Sequence, residues 1–400
     1  MSKTYCPMSS CFLVLMLIFI CNDLVFTLEN GFCQNIDGGV QCVGEKEMKL
    51  TQLKSDYVDE VKLVEDDDRQ LEVKTINLKP QIFEVKDFLT GEECDHFISV
   101  AKEMGLESSK TERQVKDGKG MQLMDINSDR QLDFAEMKLT LENGYDVFLE
   151  DDDLLQMYQS LNLDTNNDMK ISKQELERTT PADIYEFIKK YIKTHPEKHS
   201  RYSSQVWLYP DSSSDDTFRR VQERVSKVVR LPIELIKLSD FQVVHYGVNG
   251  HYNAHLDSSH IQPNMPCCNR GKVKNCRICR YMTVLFYLND VEEGGETAFP
   301  FANTTTINHT EAHLERVHHL YRKCEDAPLR VSASRGKAVF WYNHHLDGDS
   351  GWMGNIDEFT LHGGCPVKQG EKWIANFWIK TTDNKQKDLK RMRQMYHDEL

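Results

Sequence analysis

The chain has 400 residues, 40% of them hydrophobic and 28% charged, with a formal net charge of −14. That length and apolar content suffice for a buried core and for more than one domain. A balance this acidic argues against a nucleic-acid binder, which needs a basic face to neutralise phosphates, and suits a protein that handles cations.

Residues 1–27 begin with Lys3 ahead of an apolar run from Cys11 to Cys21 that meets Asn22 and Asp23. A membrane-spanning helix needs about 20 apolar residues. This run is roughly half that, the length of a signal-peptide core. Leu24, Val25 and Phe26 resume the apolar character, so a short membrane anchor is the alternative to the expected cleavage. Residues 28–79 are acidic, including Glu65-Asp66-Asp67-Asp68, and read as an irregular lead-in. In residues 80–114, Ile82, Phe83 and Val85 read as a strand. Thr90-Gly91-Glu92-Glu93 then opens a helix, with Thr90 placed as its cap.

Residues 115–196 change character: helical periodicity flanks two acidic loops at matched spacing. The first places oxygen donors at Asp125, Asn127, Asp129, Asp133 and Glu136, with the Gln131 carbonyl between them. The second repeats the pattern with Asp164, Asn166, Asp168, the Lys170 carbonyl, Ser172 and Glu175. This is the EF-hand arrangement, in which a hard cation takes six to eight oxygens and the last glutamate is bidentate. Both loops put a non-glycine, Arg130 or Met169, where the chain needs a positive φ. That costs about 1–2 kcal/mol and lowers calcium affinity.

Residues 197–385 hold short β-rich runs separated by turn residues, the pattern of a sandwich or barrel. His255 and Asp257, two apart in HYNAHLDS, share one face if that run is a strand. With a distal His362 they supply a two-histidine, one-carboxylate set that leaves open positions on Fe(II). Ten residues beyond His362, Lys372 offers a cation to a dicarboxylate cosubstrate. Thr283 and Tyr287 share one face of RYMTVLFYL, and Glu296 sits in the tight turn GGETAFP. His318, His319, His344 and His345 read as solvated loop residues, and Trp341 and Trp373 as core.

Residues 386–400 end in His-Asp-Glu-Leu, a signal read by the retrieval receptor of the endoplasmic reticulum. Together with the leader it places the chain in the lumen of that compartment. There Cys33 and Cys42, and the cluster Cys267, Cys268, Cys276 and Cys279, read as disulfides rather than zinc ligands. Asn303 and Asn308 head glycosylation sequons.

Taken in order, the runs HYG, HLDS, RYMTVLFYLND, GGETAFP, AVFWYN, LHGGCPV and EKWIANFWI resemble the prolyl 4-hydroxylase family over about residues 80–385. The EF-hands ahead of the core bring the chain closest to the family's transmembrane, endoplasmic-reticulum branch. The resemblance implies an α+β protein: a double-stranded β-helix (jelly roll) dioxygenase core with supporting helices and an inserted all-α EF-hand pair. It implies that His255, Asp257 and His362 hold Fe(II) and that Lys372 binds the far carboxylate of 2-oxoglutarate. Tyr246, Thr283 and Tyr287 would line the cosubstrate pocket with Trp378 beside them, and Glu296 would lie near the substrate. It further implies O2 as second cosubstrate, L-ascorbate as reductant, and hydroxylation of peptidyl proline at the 4-position. Two rivals remain: a calcium-binding interaction protein with an inactive oxygenase core, and a related oxygenase acting on another side chain.

Overall fold

The computed structural model describes residues 33–36, 39–42, 48–67, 69–109, 124–210, 216–268 and 275–398. The expected leader and the last two residues of the retrieval signal lie outside these. Two short strands, Cys33–Ile36 and Gly39–Cys42, pair with Cys33 opposite Cys42. The disulfide expected there falls on side chains outside the described set. Among the described residues no helix is long and apolar enough to cross a membrane.

In chain order the principal elements begin with β1 (Val61–Asp66), β2 (Arg69–Leu78), β3 (Gln81–Val85), α1 (Gly91–Met104) and β4 (Glu107–Ser108). Helices α2 (Phe134–Tyr145), α3 (Asp151–Leu161) and α4 (Pro181–Thr194) follow. Next come β5 (Arg201–Tyr202), β6 (Ser204–Leu208), α5 (Asp216–Val229), β7 (Phe241–Tyr246), β8 (His251–His255) and β9 (Arg280–Tyr287). The chain continues with β10 (Thr297–Phe299), α6 (His309–Leu314), β11 (Leu329–Val331) and β12 (Ala338–Tyr342). It closes with β13 (His362–Gly364), β14 (Lys372–Lys380) and α7 (Lys385–Asp398).

Two antiparallel sheets carry the core. The larger has nine strands in the order β1-β2-β3-β12-β9-β14-β7-β6-β4, and the smaller five in the order β11-β10-β13-β8-β5. Alternation along β9 sorts its side chains: Met282, Val284 and Phe286 pack toward α1 and α5, with Phe97 and Phe218. Leu285 and Tyr287 point the other way, into the layer that holds Phe299 and Val331 of the small sheet. The period of two that β-structure imposes therefore places Thr283 on the inner face as well.

The reading of residues 28–79 as an irregular lead-in holds for residues 48–60, which carry no helix or strand, and is corrected from residue 61 onward. Strands β1 and β2 extend the large sheet, with Leu71, Val73, Thr75 and Asn77 buried at alternate positions. The interspersed charges hid that alternation. One of them, Asp66, is buried at the end of β1, where Arg224 Nε of α5 reaches its carboxylate at 2.6 Å. The same guanidinium donates to Glu93 at 2.9 and 3.1 Å and so ties β1 to α1. Thr90 caps α1 as its sequence suggested, in a reciprocal box with Glu93. Arg224 and Lys227 outweigh burial and hold the Asp66 carboxyl below its usual range.

The helical unit α2–α4 has its own apolar core, including Leu132, Met137, Leu141, Met157 and Ile184. Its two acidic loops are joined by a short antiparallel ladder that sets Leu132 opposite Ile171. Disulfides link Cys267 to Cys279 and Cys268 to Cys276 within the cluster, and also Cys324 to Cys365. Cys94 is a buried free thiol that burial pushes up to about 11. His319 and His344 are buried rather than solvated, at 3% and 0% exposure. The His344 ring is held by Ser258 Oγ and the Gly354 carbonyl.

Candidate active site

His255 closes β8 and His362 opens β13, and the antiparallel register sets the two directly opposite. Asp257 lies two residues beyond the end of β8, in the turn rather than on the strand, and its side chain reaches between the rings. Its two oxygens stand 3.5 Å from His255 Nε2 and 3.5 Å from His362 Nε2. Each imidazole donates its Nδ1 proton to a backbone carbonyl, His255 to Asn253 at 3.0 Å and His362 to Thr360 at 2.8 Å. Those bonds fix the tautomer that leaves both Nε2 lone pairs facing the carboxylate, the usual preparation of histidines that bind a metal.

The Asp257 carboxylate is 6% exposed. Oδ2 accepts from Thr283 Oγ1 at 2.7 Å and from Trp378 Nε1 at 2.9 Å. Oδ1 is buried with no hydrogen-bond partner. A buried carboxylate oxygen left without a donor costs free energy unless a cation meets it, and one ligand atom from each of His255, Asp257 and His362 lies within 4.8 Å of the others. The three side chains therefore fit a divalent metal. Burial opposes ionisation of Asp257, but His362, His255 and Arg280 together hold it well below the usual carboxylate range. Burial also drives His362 down to about 4, against the pull of Asp257.

Beside this cluster opens a cavity of about 890 Å³. Lys372, the first residue of β14, lines it while being only 2% exposed. Its ammonium has no hydrogen-bond or ion-pair partner among the described residues. Burial pulls it down to about 7, with Glu296 acting in the opposite direction. A cation held dry on a cavity wall without a directly paired carboxylate is a receptor for an anion.

The other residues singled out in the sequence divide. Tyr246 and Trp378 line the cavity. Thr283 and Tyr287 do not, because their hydroxyls are engaged behind it. Thr283 supports Asp257 and accepts from Asn343 Nδ2 at 2.8 Å, while Tyr287 donates to Thr297 Oγ1 at 2.7 Å. Glu296 is half-buried beside the Cys324–Cys365 disulfide and is not on the cavity wall. Reading the sequence missed Arg280. Its guanidinium lies 3.6 Å from the Trp378 ring centroid, and Nη1 donates to the Asp257 carbonyl at 3.3 Å.

Of the two acidic loops, the first is gathered around a point. One carboxylate oxygen from each of Asp125, Asp129 and Glu136 lies within 4.8 Å of the others, and Asp125 Oδ1 is buried without a hydrogen-bond partner. Asn127 and Gln131 stand within it, the Gln131 backbone N–H donating to Asp129 Oδ1 at 2.9 Å. In the second loop, with Asp164, Asn166, Asp168 and Lys170, the Glu175 carboxylate is already taken up by Thr165 and Ser172 donors. Arg130 and Met169 both adopt the positive φ expected of them, 65° and 62°. Asn303 and Asn308 are both exposed. Asn303 Nδ2 donates to Asn77, and Asn308 caps α6.

Comparison with known proteins bears on this geometry directly. The sequence profile of the 2OG-Fe(II) oxygenase superfamily matches residues 241–380. The chain is 36% identical over 353 residues to the transmembrane prolyl 4-hydroxylase of Homo sapiens, covering 83% of this chain and 69% of that protein. The Mus musculus protein of the same name matches at 36% over 329 residues, covering 77% of this chain and 64% of its own length. The human prolyl 4-hydroxylase subunit alpha-3 is 33% identical over 179 residues, 45% of this chain and 26% of that one.

Proposed function

Because the chain belongs to the prolyl 4-hydroxylase family, we propose that it hydroxylates proline within a peptide in the lumen of the endoplasmic reticulum, with His255, Asp257 and His362 holding the iron. The family implies Fe(II), 2-oxoglutarate and O2. The observation that carries the site assignment is the buried Asp257 carboxylate set between two Nε2 atoms, its Oδ1 partnerless beside His255 and its Oδ2 beside His362. Iron bound there supplies the redox chemistry by which one oxygen atom enters the substrate C–H bond and the other enters succinate, with loss of CO2.

The chain's own residues position and protect. Lys372 binds the far carboxylate of 2-oxoglutarate, which restores a counter-charge to a stranded ammonium. Tyr246 bounds the same pocket and lies under that ammonium, 5.5 Å from it. Thr283 and Trp378 hold Asp257 by one oxygen and leave the other for the metal. The stacked Arg280 and Trp378 offer a flat surface to a proline ring at the cavity wall.

The terminal His-Asp-Glu-Leu and the leader support retention by the retrieval receptor, with a short membrane anchor as the alternative. L-ascorbate keeps the iron reduced. The first acidic loop, with its unpartnered Asp125 oxygen, supports a calcium ion held by an EF-hand pair, and Asn303 and Asn308 are glycosylated.

The test is incubation of the protein with Fe(II), 2-oxoglutarate, ascorbate and proline-containing peptides, followed by mass spectrometry. Oxygen gained on proline by the intact protein and not by His362→Ala supports the assignment. Succinate without a proline product points to another side chain, and neither product from iron-loaded protein overturns the enzyme reading.

A further inference from the structure

The end of α2 is stitched to the strand that carries His255. Asp146 caps α2 in the left-handed conformation, its N–H bonded to the Glu142 carbonyl. The next residues run against the segment just before β5: Val147 bridges to His199, and Phe148 N donates to the Lys198 carbonyl at 2.7 Å. Ser200 is bound to Asp146 twice, its N–H to the Asp146 carbonyl at 3.1 Å and its hydroxyl to Asp146 Oδ2 at 2.8 Å. The Ser200 carbonyl accepts from Asn253 N at 2.7 Å, and the Asn253 carbonyl accepts the Nδ1 proton of His255 at 3.0 Å. Asp146 is 6% exposed and Ser200 7%, so the bond between their side chains is buried at the edge of the active-site cavity.

At its other end α2 begins in the first acidic loop. Glu136, in its first turn, accepts from Ile126 N at 2.9 Å and Asn127 N at 3.2 Å, closing that loop. Helix α2 also presents Glu142, Asn143 and Asp146 to the wall of the active-site cavity. Glu142 is clamped there by Arg316 Nε at 2.5 Å and His318 Nε2 at 3.3 Å. One rigid helix, about 15 Å from Glu136 to Asp146 at 1.5 Å per residue, thus joins the cation loop to the support of an iron ligand.

We propose that Asp146 is a positioning residue for His255, acting through Ser200 and Asn253, and that cation binding in the first loop and metal binding at the active site are thereby linked. This rests on the calcium reading of the first loop given above. Calcium drawn between Asp125, Asp129 and Glu136 steadies the first turn of α2. The helix transmits that order to its cap, and the Asn253 carbonyl then holds the His255 ring in its metal-ready tautomer. Linkage is reciprocal, so metal at the active site must tighten calcium by the same factor.

The experiment titrates calcium-stripped full-length protein with Co(II), with and without added calcium, and follows the visible absorption band that is lost in His362→Ala. Calcium binding itself is measured by calorimetry, with Glu136→Gln as the variant that loses the first loop. Calcium should tighten Co(II) by roughly tenfold, within the ordinary range for coupled sites. Glu136→Gln should abolish that factor. Asp146→Gly, which keeps the left-handed backbone but removes the acceptor, and Ser200→Ala should lose most of it while still binding calcium. Asp146→Asn, which retains an acceptor oxygen, should restore it. A purely structural role for Asp146 would lower the unfolding temperature and leave the ratio with and without calcium unchanged, and that result overturns the proposal. Calcium binding with unaltered Co(II) affinity in the wild type overturns the linkage alone. No calcium binding at all overturns the linkage together with the calcium reading on which it rests.

Discussion

Lys372→Met separates the stability of this protein from its chemistry. The ammonium is 2% exposed, and its titration is displaced from 10.5 to about 7 by burial. At 1.36 kcal/mol per unit that displacement is worth roughly 5 kcal/mol, an upper bound on what a neutral isostere recovers. Methionine keeps the length and most of the volume while removing the charge, so about 2–4 kcal/mol of added stability at pH 7 is expected. The sign with pH follows from a base whose folded value lies below its unfolded one. The unfolded chain binds more protons between about pH 7 and 10.5, so wild-type stability gains on the variant through that window. Denaturant unfolding of both proteins at pH 7 and pH 10 measures it: the advantage of the variant should be large at the first and close to vanishing at the second. The same variant should lose the thermal stabilisation that 2-oxoglutarate gives the wild type in the presence of an unreactive divalent metal. Equal stability of the two proteins at pH 7, or a difference that does not shrink with pH, would refute the reasoning that Lys372 is a stranded cation.

The same displacement predicts that the KM for 2-oxoglutarate rises about tenfold per pH unit above pH 7 in the wild type, as Lys372 loses its proton; a flat profile between pH 7 and 9 would contradict it. Thr283→Val removes the 2.7 Å bond to Asp257 and should weaken active-site metal binding by about 10- to 100-fold without unfolding the protein, read by Co(II) titration. Arg224→Ala leaves Asp66 and Glu93 buried without their shared cation and should cost about 3–5 kcal/mol in urea unfolding; a loss under 1 kcal/mol would show that Lys227 and Arg69 suffice for Asp66.

The parts of the site that could be read from the sequence are those whose chemistry tolerates few residue types. His255, Asp257, His362 and Lys372 stand in an order and spacing that one kind of metal site demands, and the structure brings all four to one cavity. The alternation in RYMTVLFYL placed Thr283 inward, but period alone could not say that its partner would be Asp257 rather than a cosubstrate. Arg280 was silent because a single arginine at the head of an apolar strand has no local signature; only the fold sets it on Trp378. Strands β1 and β2 were hidden because charged residues interrupt their apolar alternation; the buried one, Asp66, is compensated by Arg224 and Lys227, more than 150 positions away, and compensation across that distance leaves no trace in the local pattern. The Cys324–Cys365 pairing was equally unreadable, since spacing does not determine connectivity.

The most direct test of the central claim supplies isotopically labelled dioxygen to the iron-loaded protein with 2-oxoglutarate and a proline peptide that it turns over, then locates the label by mass spectrometry. One labelled atom in hydroxyproline and one in succinate, formed in equal amounts and absent with His362→Ala, is the predicted result. Label confined to succinate, or hydroxyproline whose oxygen comes from water, would contradict the account.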